Sequence, residues 1–141
     1  MSEENAAGIF SAGNISGIGI DIIEISRIKD VIEKNPGFLN RIYSVEEIKY
    51  CTMKKNPEVR YICFAQRFAA KEAAAKALGT GLGKYFSFKE ISVENGPDGK
   101  PCIVLAGKAK KYCRKNNIIS FHLSLPGVYK GNSLSHFSQP K

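Results

Sequence analysis

The sequence predicts an α+β domain with helices packed on a mainly antiparallel sheet. Three observations carry that expectation. The runs SGIGIDII, SFKEISVEN, CIVLAG and IISFHLSL are short and β-rich or alternating, as strands are. Other stretches place apolar residues at helical spacing. The turn NGPDGKP joins two of the strand-like runs as a hairpin. At 141 residues the chain has room for one domain with one core. Residues 1–15 are expected to be a flexible lead-in and 16–141 the domain.

Taken in order, the first strand runs from about Ser16 to Ile22. The chain turns to helix near Asp21, because Ile25, Ile28 and Ile32 recur at helical spacing until Asn35, Pro36 and Gly37 end it. A second helix starts at Ser44, which has Glu47 three residues on as a capping box requires, and runs to about Met53. Asn56 and Pro57 open a third, long helix that stops at Gly79. The hairpin strands follow, with Phe86, Phe88, Ile91 and Val93 as apolar candidates. A basic helix from about Lys108 to Asn116 and a last apolar strand from Ile118 complete the order.

No apolar run approaches the roughly 20 residues needed to span a bilayer, and the N-terminus lacks the pattern of a secretory signal. A cytoplasmic protein is therefore expected, with no membrane partner. In that setting Cys51, Cys63, Cys102 and Cys113, none in a C-x-x-C pair, are expected to be free thiols. The net charge of +8 favours an anionic partner without choosing its class. The basic runs near Lys54 and from Lys108 to Lys115 have a bland reading as solvated helix faces.

The stretch QRFAAKEAAAKALGTGLG, Gln66 to Gly83, carries the chemistry. Nearly continuous alanine lets backbones pack closely, and Arg67, Lys71, Glu72 and Lys76 are set into it. Three cations on successive turns suit a facing anion such as a diphosphate. Glu72 has a plainer reading as the i, i+4 partner of Lys76. The glycines of GTGLG follow the helix, so this is no P-loop and more plausibly a helix cap and pocket wall. Asp21 stands among isoleucines at a strand end; it either caps the next helix with Glu24 or meets a charge or metal. Together Asp21 and Glu72 offer the carboxylate pair that Mg²⁺ takes alongside substrate phosphate oxygens.

These residues resemble a known family. G-I-G-x-D at Gly17 to Asp21, F-x-x-R at Phe38 to Arg41, R-F-A-A-K-E-A-x-x-K-A-x-G-T-G from Arg67 to Gly81, and N-G-P-D-G-K-P before Cys102 occur in the order found in bacterial holo-acyl-carrier-protein synthases, which are 4′-phosphopantetheinyl transferases. The resemblance spans about Gly17 to Ser124. It implies that family's fold, a homotrimer with sites at subunit interfaces, and transfer of phosphopantetheine from coenzyme A to a serine of apo acyl carrier protein in fatty acid biosynthesis. It implies Asp21 and Glu72 as Mg²⁺ ligands and Glu72 and Lys76 as catalytic. Coenzyme A would be met by Arg67, Lys71, Lys76, Gly79 and Gly81, and the acidic carrier protein by Arg27 and Arg41.

The C-terminus departs from the family pattern, with Pro126 and Gly127 where a threonine or serine and a histidine are expected, and with a polar tail in place of a last apolar strand. His122 reads as a satisfied core residue and His136 as solvated. Two alternatives stay open: a homologue that binds coenzyme A or carrier protein with weakened turnover, and a basic nucleic-acid-binding module. The latter is short of aromatic residues, since its basic run offers only Tyr112.

Overall fold

The elements assemble around one long helix. The computed structural model describes the backbone of residues 6–11, 14–20, 23–79, 86–123, 128–130 and 133–135, with side chains over 25–79 and 86–123. The long helix, α4 (Pro57–Leu78), starts where Asn56 Oδ1 accepts from the Glu58 amide at 2.9 Å, has Pro57 in its first turn, and ends at Gly79 with φ 78°. These are the start and stop predicted from sequence. Its side chains Ala65, Ala69, Ala70, Ala73, Ala74 and Ala75 are all buried. A helix enclosed on most sides needs small residues around its circumference, which explains why α4 lacks a simple polar stripe.

Before α4 come β1 (Ala6–Ser11), β2 (Asn14–Ile20), β3 (Ile23–Glu24), α1 (Ile25–Lys34), α2 (Phe38–Ile42) and α3 (Val45–Thr52). After it come a 3₁₀ turn at Phe88–Glu90, β4 (Ile91–Asn95), β5 (Pro101–Leu105), α5 (Gly107–Lys115), β6 (Ile118–Leu123), β7 (Val128–Lys130) and β8 (Ser133–Ser135). The strands form three small sheets, ordered β2-β1-β6, β3-β7-β8 and β4-β5. All pairings are antiparallel except that of β3 with β7. Strands β1, β2 and β4 and helices α1 and α3 lie against α4.

Several expectations are corrected. The stretch read as a flexible lead-in carries β1, which pairs Ala6 with Ile20 of β2 and Ala7 with Leu123 of β6. Its short run of small and apolar residues gains a ladder on both edges, a long-range stabilisation that composition does not reveal. Helix α2, at five residues, is too short to show periodicity. The strand expected from Ser87 begins at Ile91, because Glu90 folds back on Ser87 and closes a 3₁₀ turn first. The polar tail forms β7 and β8, held by backbone pairing to each other and to β3.

The core has two parts. One gathers Ile25, Ile28, Tyr43, Ile62 and Phe64 between α1, α3 and α4; Tyr43 Oη donates to the Phe64 carbonyl at 2.8 Å, and burial raises its pKa well above the usual phenol value. The other gathers Leu78, Phe86, Ile91, Ala109 and Cys113 at the far end of α4.

The expectation of four free thiols is also corrected. Cys51 of α3 and Cys63 of α4 form a disulfide with Cα atoms 5.6 Å apart, while Cys102 and Cys113 are free. The short connection between α3 and α4 folds the second helix back on the first and brings the two cysteines together.

Glu90 also caps α5 from outside: Oε1 accepts the amides of Lys108 and Ala109, and Oε2 accepts from Ser87 N at 2.7 Å. Burial pushes this carboxyl's pKa up, but the hydrogen bonds from Ser87, Lys108 and Ala109 outweigh it and the net shift is downward. Beside it Gly107 has φ 52°, and a Cβ there would stand 2.6 Å from Glu90 Oε1.

Three outcomes follow from this packing. Reductant, or Cys51→Ser, is expected to lower unfolding stability by about 2–4 kcal/mol. Alkylation of unfolded, unreduced protein should then modify only Cys102 and Cys113 by mass spectrometry, and four modified thiols would exclude the bond. Gly107→Ala, which forces a left-handed backbone and a clash, should cost about 1–2 kcal/mol in thermal or denaturant unfolding. The Glu90 contribution exists above the ordinary carboxylate pKa and is lost as pH falls through the lowered folded value. The difference in melting temperature between wild type and Glu90→Gln should therefore shrink on acidification; a constant difference down to acid pH would refute the charged cap.

Candidate active site on the alanine-rich helix

One turn of α4 advances about 3.6 residues, so the four ions of the motif divide between two faces. Arg67 and Lys71 share one face and Glu72 and Lys76 another. The first pair points into the protein: both side chains are 0% exposed. Lys71 Nζ lies 2.6 Å from Glu47 Oε1 and donates to the carbonyls of Phe88 at 2.9 Å and Ile91 at 2.6 Å. All three ammonium protons are thereby used. Burial lowers the pKa of Lys71, and the Glu47 carboxylate opposes that shift.

Arg67 is held in the same layer. Its Nη2 donates to Asn95 Oδ1 at 2.8 Å, its Nη1 lies 3.4 Å from Cys63 Sγ, and the guanidinium stands 4.5 Å from the centroid of the Tyr50 ring. Burial lowers its pKa as well, with Glu47 opposing. The expectation of three cations facing one anionic ligand is thus corrected. The anion facing Lys71 is Glu47, and neither Arg67 nor Lys71 presents a group to solvent for a coenzyme A phosphate. Burying a charge is costly unless it is paired and hydrogen-bonded, a condition that Lys71 meets with Glu47.

The second face is less enclosed. Glu72 is half-buried and Lys76, one turn on, is exposed near the C-terminal end of α4. Gly79 closes the helix in the left-handed conformation, with its amide bonded to the Lys76 carbonyl. Gly81 and Asp21 lie outside the described residues. The strands flanking Asp21 in sequence, β2 and β3, both lie against α4. Among the described residues no three His, Cys, Asp or Glu side chains gather as a metal cage. The donor set to be tested is therefore the carboxylate pair Asp21 and Glu72. Carboxylate oxygens are of the hard type that Mg²⁺ takes alongside water and phosphate oxygens.

Arg27 on α1 and Arg41 on α2 are exposed. His122, expected in the core, lies on the exposed side of β6, where its register partner is Gly8 of β1. His136 lies outside the described residues. On α5 the cations Lys108, Lys110, Lys111, Arg114 and Lys115 are exposed, as a solvated face requires. Tyr112 is committed elsewhere: its ring packs 5.9 Å from Phe86 and its hydroxyl donates to the Leu78 carbonyl at 3.4 Å. That basic helix consequently offers no aromatic for stacking on a nucleic-acid base. No described helix is long and apolar enough to cross a membrane.

Sequence reasoning missed Glu47 and Asn95. Glu47 had been explained by its capping box, which the structure confirms: Ser44 N donates to Oε1 at 2.9 Å and Ser44 Oγ accepts from Glu47 N at 3.2 Å. Its burial at 0% exposure and its second oxygen, which accepts from Val93 N at 2.8 Å, had no local signal.

The family model described as the 4′-phosphopantetheinyl transferase superfamily matches residues 17–124. The holo-[acyl-carrier-protein] synthase of Halothermothrix orenii is 45% identical over 112 residues, covering 79% of this chain and 86% of that protein. Among solved structures, the Neisseria meningitidis holo-[acyl-carrier-protein] synthase superposes with a TM-score of 0.65 at 36% identity, over 74% of this chain and 82% of that one. The Helicobacter pylori enzyme, solved in complex with coenzyme A, gives 0.59 at 39% identity over 72% and 82%. With most of its length matched, this chain belongs to the 4′-phosphopantetheinyl transferase superfamily.

Proposed function

We propose that the chain transfers the 4′-phosphopantetheine group of coenzyme A to a serine of an apo acyl carrier protein, releasing adenosine 3′,5′-bisphosphate, as a step of fatty acid biosynthesis in the cytoplasm. The observation that carries the reading is the partly exposed pair Glu72 and Lys76, one turn apart on α4, in a chain 45% identical to a holo-[acyl-carrier-protein] synthase over 79% of its length. The Helicobacter pylori relative binds coenzyme A, and this chain is read as taking the same donor.

In this reaction the serine Oγ attacks the β-phosphorus of the coenzyme A diphosphate. The new bond joins Oγ to that phosphorus, the bridging P–O bond breaks, and the hydroxyl proton goes to water or a nearby carboxylate. Lys76, exposed at the end of α4, is suited to neutralise the charge that collects on the departing 5′-phosphate. Asp21 and Glu72 would hold Mg²⁺, which when bound supplies Lewis-acid stabilisation to the diphosphate oxygens. Arg67 and Lys71 serve from within, by holding α4 in place. Exposed Arg27 and Arg41 are assigned to the acidic carrier protein, where complementary charge raises the association rate. A homotrimer is the assembly we assign, following the family resemblance.

The test is to incubate the protein with apo carrier protein, coenzyme A and Mg²⁺ and to follow phosphopantetheine on the carrier by mass spectrometry. Transfer is expected, and a chelator should stop it. Asp21→Ala and Glu72→Ala should each reduce kcat/KM by on the order of 100- to 1,000-fold. Wild-type rates in either variant would remove the metal assignment. Coenzyme A binding without any mass gain on the carrier would show a binding homologue instead.

A further inference from the structure

A helix faced with alanine is smooth. Packed helices normally settle their rotation by fitting side-chain ridges into grooves, and six buried alanines on α4 supply little relief for that purpose. Rotation matters here: with a radius of about 5–6 Å, a turn of about 10° moves a side-chain tip by about 1 Å. Polar sites lose function at displacements of that size. Ile62, Phe64, Phe68 and Leu78 give α4 bulk elsewhere along its length, and a directional polar contact beside Glu72 adds a finer constraint on where that carboxylate points.

Glu47 supplies such a contact. It is fully buried and reaches three separate elements. One oxygen holds the α3 start through Ser44 N and grips Lys71 Nζ of α4 at 2.6 Å. The other holds Val93 N of β4 at 2.8 Å. Lys71 in turn ties α4 to the carbonyls of Phe88 and Ile91, on the approach to β4 and at its start. Glu72 is the very next residue, so the direction that Lys71 takes toward Glu47 sets the direction of Glu72 about 100° further round the helix.

We infer that Glu47 is a positioning residue for the phosphopantetheinyl transfer site: through its ion pair with Lys71 it fixes the rotation of α4 and thereby aims Glu72. This rests on the transferase reading above. Glu47 is fully buried, and its link to α4 is the ion pair with Lys71, so its effect on Glu72 passes through Lys71 and the helix.

The probe is Mn²⁺, titrated by electron paramagnetic resonance in the presence of coenzyme A, beside the transfer assay and thermal unfolding. Glu47→Gln keeps the shape and removes the pair. It is expected to weaken Mn²⁺ binding by about 10-fold or more, as removal of outer-shell support does at metal sites, with KM for the carrier protein little changed. The double variant Glu47→Leu with Lys71→Met separates aiming from stability, because an apolar pair of similar volume often preserves or restores stability. It should melt near wild type and still bind Mn²⁺ about 10-fold more weakly. Mn²⁺ binding within twofold of wild type in folded Glu47→Gln, or recovered together with the melting temperature in the double variant, overturns the inference and leaves the transferase reading standing. Wild type that neither binds Mn²⁺ nor transfers overturns both.

Discussion

The buried ion pair between Glu47 and Lys71 is the constraint around which the other elements are arranged. Taking two opposite charges out of water costs several kcal/mol per ion after relaxation, and their attraction recovers that only if the remaining hydrogen-bonding capacity is also met. Here it is met closely: Lys71 has three oxygen partners and Glu47 has the amides of Ser44 and Val93 in addition to the ammonium. Such a pair is a weak source of net stability compared with packed apolar side chains. It differs from them in having direction. Four pieces of chain, the α3 start, α4, the 3₁₀ turn and β4, must meet in one geometry or leave a charge unpaired.

The alanines and the ions of α4 are consequences of the same demand. Small side chains let β1, β2, α3 and β4 approach the helix closely, and this closeness removes water from the inward face. Any cation on that face then needs an internal partner, which Lys71 finds in Glu47 and Arg67 in Asn95 and the Tyr50 ring. The Cys51–Cys63 bond lies in the same layer, 3.4 Å from Arg67 at its nearest sulfur. The inward face is thus pinned at successive turns, and the outward face carries Glu72 and Lys76 as a rigid display. Rigid presentation from a regular element positions a reacting group better than a loop does.

The parts of this arrangement that were legible in sequence are those decided by neighbouring residues. Ser44 with Glu47, Asn56 with Pro57, and Gly79 are local signals, and the ends of α3 and α4 fall where they indicate. The hairpin β4–β5 was legible for the same reason, through NGPDGKP. What depended on distant partners was not. Glu47 already had a sufficient local explanation as a cap, and its ion pair reaches across 24 positions of sequence to Lys71. The Cys51–Cys63 spacing means nothing until the second helix folds back on the first. Strand β1 is marginal as a local sequence and becomes regular only between β2 and β6. The division of the four α4 ions between two faces was available from helix geometry alone, but the shared sign of Arg67, Lys71 and Lys76 suggested a common ligand and concealed it.

That division also changes what the net charge of +8 means. Two of the cations in the motif helix are enclosed and one is neutralised inside by Glu47, so they contribute little to a surface patch. The field that a partner meets comes from exposed groups. On α1 the cations Arg27, Lys29 and Lys34 are interspersed with Asp30 and Glu33, whereas α5 carries Lys108, Lys110, Lys111, Arg114 and Lys115 with no acid. At physiological ionic strength a surface charge is felt over only about 8 Å. A mixed face like α1 is therefore suited to specific contacts at short range, and the unmixed face of α5 to attraction of an acidic partner before contact. The enclosed charges thus act on the placement of α4, and the exposed ones set the field at the surface.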